Sequence, residues 1–190
     1  LSKDMPVWFE GQNRIALFPR ENNTFVMKSF MDHGTDAMIH VKAKAEKLVS
    51  LIKECGNHLQ TGFIGTPYLL RVLSDNGYIE LAYELLLREE FPSWLYSVKQ
   101  GATTVWEHWD GKNDKGEFWD DEMNSFNHYA YGAVVDWIYE VAGGITPLKA
   151  GFEEISIKPT PTDKLDWLEV KIQTRKGLVR SKWYHENGQI

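Results

Sequence analysis

Between Gln100 and Gly132 the chain reads QGATTVWEHWDGKNDKGEFWDDEMNSFNHYAYG, so Trp106, Trp109, Trp119, Tyr129 and Tyr131 are interleaved with Glu107, Asp110, Asp120, Asp121, Glu122 and His128. That mixture suits a carbohydrate. A sugar ring offers apolar C–H faces that stack on indole and a rim of hydroxyls that carboxylates, amides and imidazole can hydrogen-bond. A core segment would hold fewer acids. The competing reading is a polar loop whose aromatic rings pack onto a neighbouring helix, and composition alone does not choose between the two.

The elements that must position these residues are legible from Val41 onward. Val41, Ala45, Leu48, Ile52 and Cys55 recur at steps of four and three before Gly56-Asn57, which predicts an amphipathic helix with Cys55 as a buried thiol on its apolar stripe. Thr66-Pro67 reads as an N-cap followed by proline in the first turn, opening a helix that closes at Asp75-Asn76-Gly77. A third helix is expected from Tyr78 to Glu90, stopping before Pro92. A fourth is expected with Asn124 or Ser125 as cap, a stripe of Phe126, Ala130, Ala133, Val134, Trp137 and Val141, and a stop at Gly143-Gly144. This helix would place Asn124 and His128, four residues apart, on one face near its N-terminus.

After Pro147 the period becomes two, through Phe152, Ile155 and Ile157, then Leu165 to Ile172, then Leu178 to Trp183. Arg175-Lys176-Gly177 and Glu186-Asn187-Gly188 supply hairpin turns. Because the chain stops at Ile190, the strand returning from the second turn is expected to lie in a longer natural sequence. Residues 1–40 are interrupted by Pro6, Gly11, Pro19, Asn22, Asn23 and Gly34, and no element is assigned to them. The expected organisation is therefore an unassigned segment over 1–40, a helical region over 41–147 and a β region over 148–190.

A net charge of −6 with scattered lysines argues against nucleic acid or an anionic membrane as partner. The six histidines and one cysteine show no ligand spacing, so no metal and no cofactor is expected. The start LSKDMPVWFEG lacks the basic and apolar regions of a signal peptide; localisation stays open, with the cytoplasm slightly favoured.

The blocks TGFIGTPYLLRVLSDNGYIELAYELLLREEFPSWLYSVKQGATTVWEHWDG, MNSFNHYAYGAVVDWIYE and GFEEISIKP resemble the bacterial α-L-rhamnosidases of glycoside hydrolase family 78, in family order and spacing over about Leu48 to Ile190. The resemblance implies a mainly α fold with a β C-terminal part: the closing portion of an (α/α)6 toroid followed by a β-sandwich domain. It also implies inverting hydrolysis of terminal α-L-rhamnosyl residues. Glu107 matches the family's general base and His128 its rhamnose-contacting histidine, with Asn124 beside it as a further sugar contact. Trp106 and Trp109 either wall the sugar pocket or anchor the loop that carries Glu107.

An inverting site keeps its two carboxyls about 6.5–9.5 Å apart so that water fits beside the base. The family's general acid has no counterpart in residues 1–40. Twelve helices also need at least about 200 residues, so this chain is expected to supply only part of the toroid and to require an upstream part of the same enzyme. The expected ligand is a rhamnose-containing glycoside. Two other readings stay open: a non-catalytic carbohydrate-binding or interaction domain, and a different (α/α)6 glycan hydrolase of glucoamylase-like or glucuronidase-like type.

Overall fold

The computed structural model describes residues 7–9, 14–20, 24–30, 36–120, 122 and 124–186, those before Ala45 by their backbone alone. The chain divides into two compact units, Leu1–Tyr131 and Gly132–Ile190.

The first unit opens with four antiparallel strands in chain order, β1 (Val7–Phe9), β2 (Arg14–Arg20), β3 (Thr24–Phe30) and β4 (Asp36–His40). The sequence pattern gave no element here because Pro19 interrupts the run. Pro19 is nonetheless accommodated in β2, since among the described residues β1 pairs with Ile15–Leu17 and not with the proline position.

Helix α1 (Val41–Glu54) follows and buries Ala45, Val49 and Ile52. It stops where Gly56 (φ 69°) and Asn57 (φ 57°) take left-handed conformations. That exit also corrects the expectation for Cys55, which lies one residue beyond the helix and is exposed rather than buried. The Asn57 side chain donates to Glu84 Oε1 at 2.7 Å, and Arg88 reaches both Asn57 O at 3.3 Å and His58 Nε2 at 2.7 Å.

Helix α2 (Thr66–Asp75) packs its Leu69, Leu70 and Leu73 inward against α3 (Ile79–Leu86). Thr66 is the first helical residue and not a side-chain cap. Its hydroxyl turns back to Thr61 O at 2.9 Å and Gly62 O at 2.8 Å, tying down the preceding loop. Helix α3 ends four residues before the expected Glu90, because Arg88 is drawn to the end of α1. A further short helix, α4 (Trp94–Lys99), was not foreseen; Ser93 caps it by accepting the Tyr96 N–H at 3.0 Å.

The second unit contains α5 (Val134–Trp137), running directly into a π-turn over Ile138–Ala142. The strands then pair as two antiparallel hairpins, β5 (Ile145–Pro147) with β6 (Ile155–Ile157) and β7 (Trp167–Thr174) with β8 (Gly177–Tyr184). Thr174 pairs with Gly177, which makes Arg175-Lys176 the two-residue turn. The second expected turn, at Asn187-Gly188, lies outside the described residues. At Gly144 (φ 72°) a Cβ would stand 2.1 Å from the backbone of Lys158 and Pro159, so only glycine lets the chain turn there under that segment.

Candidate active site

The expected helix from Asn124 does not form at that point. A 3-10 turn begins only at Ala130 and α5 only at Val134, so Asn124 and His128 belong to a loop and share no helix face. The physical reason is a competing set of hydrogen bonds. His128 N–H donates to Val105 O at 2.8 Å, Glu107 N–H donates to Ser125 O at 2.8 Å, and the Thr104 hydroxyl donates to Phe126 O. Residues 104–107 and 125–128 thus lie side by side as a short paired ribbon, and their amides are not available to a helical turn.

This ribbon fixes Glu107. The Ser125 N–H donates to Glu107 Oε2 at 3.0 Å, so one residue holds both the backbone and the carboxylate of Glu107. His128, two rungs away on the same ribbon, stacks on Phe63 with ring centroids 4.5 Å apart and planes at 23°. Its Nδ1 is buried and has no partner among the described residues. Asn124 is half-buried in the loop just before Ser125 and is already engaged in an interaction.

Trp106 and Trp109 are 6% and 7% exposed. Trp106 meets Phe126 edge-on at 5.1 Å, while Trp109 stacks on Tyr131 at 3.8 Å and takes Trp94 against it at 5.3 Å. Both indoles are therefore packed against neighbouring rings. Helix α4 secures them: Ser97 Oγ donates to Trp109 O at 2.6 Å and Trp94 Nε1–H donates to Tyr131 O at 2.9 Å. Gly111 completes the fit, since a Cβ there would come within 3.3 Å of both Trp106 and Phe126.

Asp110 has a structural role. Asp110 lies in a turn closed by Gly111 N–H to His108 O at 3.1 Å, and its carboxylate bonds the His108 ring. That ring in turn stacks on Trp119 at 3.8 Å. Asn113 accepts the Lys115 and Glu117 amides and organises residues 112–118 as an exposed loop. The pattern had pointed to Glu107 and His128. The resemblance also implies that Thr61, Gly62 and Phe63 lie near the mouth of the site; the roles of Ser97 and of the Ser125 amide carried no signal in the sequence.

Helices followed in the chain by paired antiparallel strands, with Glu107 and His128 on one ribbon packed by aromatic rings, are the features set against known proteins. The chain belongs to the bacterial alpha-L-rhamnosidase family: residues 30–142 match its 6 hairpin glycosidase domain and residues 144–190 its C-terminal domain. The match begins at residue 30, upstream of Leu48, where the readable motifs start. An alpha-L-rhamnosidase of Formosa agariphila is 47% identical over 142 residues, covering 75% of this chain and 15% of that protein. One of Streptomyces avermitilis is 44% identical over 166 residues, covering 87% and 16%. Among solved structures, the Streptomyces avermitilis alpha-L-rhamnosidase complexed with L-rhamnose superposes with a TM-score of 0.73 at 44% identity, over 77% of this chain and 14% of that one. The Aspergillus terreus alpha-L-rhamnosidase gives 0.72 at 38% identity, over 75% and 17%. The chain thus spans about a sixth of the length of the relatives it matches.

Proposed function

We propose that this chain carries the base-bearing part of an inverting α-L-rhamnosidase site, with Glu107 as general base and His128 and Asn124 as contacts to sugar hydroxyls. The observation that supports it best is the Ser125 N–H on Glu107 Oε2, which holds the carboxylate in one orientation and leaves Oε1 to take a proton from the attacking water. As that water adds to the anomeric carbon, its proton passes to Glu107, and the glycosidic oxygen leaves with a proton from a general acid. No residue of this chain is assigned that acid role. Trp106 and Trp109 serve as anchors for the ribbon that carries Glu107 and His128.

The unpartnered His128 Nδ1 bears on the imidazole's tautomer. A buried N–H without an acceptor is costlier than a buried lone pair, which favours the proton on Nε2 and makes that nitrogen a donor to a hydroxyl. The ring then binds and orients, while proton transfer stays with the carboxylates.

The test is a chimera in which residues 48–190 replace the matching stretch of the Streptomyces avermitilis relative. A folded chimera should hydrolyse an aryl α-L-rhamnoside and lose about 10²–10⁴ in rate with Glu107→Gln. A folded chimera whose turnover ignores that substitution would overturn the assignment.

A further inference from the structure

We infer that the outer face of the β7–β8 hairpin carries a second saccharide-binding site, built on Trp167 and Tyr184. The two residues are directly opposite in the antiparallel register and are 61% and 51% exposed. Directly opposed side chains in such a pair are about 4.5–5.5 Å apart at Cβ, so the two aromatic side chains start from adjacent points on one face and make up the platform of the proposed site. Strand alternation sends Val170, Ser181 and Trp183 to the other face, where they are buried, and Trp183 Nε1–H is satisfied by Ala142 O at 2.9 Å.

The platform borders a recess of about 420 Å³ lined by Asp166, Trp167, Glu169, Lys182, Tyr184 and His185. Its polar rim is held in place: Glu169 is gripped by Arg180 at 2.8 Å and by Lys171, and His185 donates through Nε2 to Thr162 O at 2.9 Å. The His185 N–H also donates to Asp166 O at 2.9 Å, extending the ladder past Tyr184 and stiffening that end. Lys182 Nζ lies over the Tyr184 ring, 5.5 Å from its centroid, and so covers part of one face of that ring with a cationic donor.

The chemistry selects the ligand class. Two exposed aromatic faces ringed by both carboxylates and cations suit an uncharged molecule with apolar C–H faces and many hydroxyls. A protein partner would want a larger apolar centre with fewer charges, and nucleic acid would be repelled by a chain of net charge −6 that puts Asp166 and Glu169 at the rim. The site therefore takes a neutral polysaccharide strand, and all of its residues lie in the second unit.

Native gel electrophoresis of the 190-residue chain through a soluble polysaccharide bearing α-L-rhamnosyl branches tests this directly. The expected result is retarded migration, with affinity about tenfold weaker in Trp167→Ala and in Tyr184→Ala and retained in Trp167→Tyr. Circular dichroism shows that each variant is folded. Absence of retardation in the unsubstituted chain overturns the proposal, and so does retardation that only His128→Ala abolishes, which would locate the binding at the proposed rhamnosidase site instead.

Discussion

Ser125 and Glu107 hold each other twice: the Glu107 amide donates to Ser125 O at 2.8 Å, and the Ser125 amide donates to Glu107 Oε2 at 3.0 Å. The carboxylate is thus fixed by a main-chain group that no side-chain substitution at Ser125 removes except proline. Ser125→Pro should cost the chimeric enzyme more in kcat than in KM, because it frees the base without touching the sugar contacts. Ser125→Ala should leave both close to the parent. Steady-state kinetics on an aryl α-L-rhamnoside checks the contrast, and equal effects of the two variants would refute it.

Phe63 supports the imidazole of His128 from one side. Phe63→Ala should remove an aromatic pair worth about 0.5–1.5 kcal/mol beyond its burial, and it should weaken L-rhamnose binding more than Phe63→Tyr does. Calorimetry of the chimera with L-rhamnose measures this. Identical affinities in the two variants would mean that the stack does not position the ring.

The Trp109–Tyr131 stack, closed from the side by Trp94, is the packing centre beneath the ribbon. Trp109→Ala should lower stability by about 3–5 kcal/mol, whereas Ser97→Ala, which strands the buried Trp109 carbonyl, should cost about 1–3 kcal/mol. Urea denaturation followed by circular dichroism separates the two. Near-normal stability of Trp109→Ala would contradict an anchoring role.

Acid sensitivity in the second unit should come partly from Glu169. Hydrogen bonds from Arg180 and then Lys171 lower its carboxyl from 4.5 to about 2. A depressed pKa gives stability that is fully present above the unfolded value and lost as pH falls through the folded one, here between about 4.5 and 2. The difference in urea midpoint between the parent and Glu169→Gln should accordingly be largest at neutral pH and shrink below pH 4.5. A difference that stays constant down to pH 3 would rule the linkage out.

At the alkaline end, burial, followed by the nearby Glu80 charge, pushes the Tyr83 phenol well above its ordinary value of 10.0, and burial also raises Tyr131. A raised pKa gives stability that is intact below the unfolded value and is lost as pH climbs past it. Absorbance at 295 nm should show these two phenols ionising only as the first unit unfolds.

Local chemistry in the sequence was sufficient for several elements. The 3.6-residue stripe and Gly56-Asn57 delimit α1, Thr66-Pro67 and Gly77 bracket α2, and period-two alternation with a two-residue turn gives β7 and β8. Each depends on contacts within a few residues, which is why the residues themselves disclose them. The motifs around Glu107 and His128 also stood out, since aromatic rings and acids crowd there beyond what a core requires.

Tertiary structure decided the rest, for one recurring reason: a backbone amide has one proton to give, and a distant partner can claim it. Residues 124–129 look like a capped helix start, yet Ser125 and His128 spend their amides on Glu107 and Val105, about twenty residues earlier in the chain. The strands between Val7 and His40 pair in a register that the side-chain pattern obscures, and α4 exists because Ser93, Ser97 and Trp94 find partners as far away as Tyr131. Sequence by itself determined which residues had the chemistry for a sugar site; only long-range hydrogen bonding and aromatic packing decided that Glu107 and His128 share one ribbon while Trp106 and Trp109 are consumed in holding it.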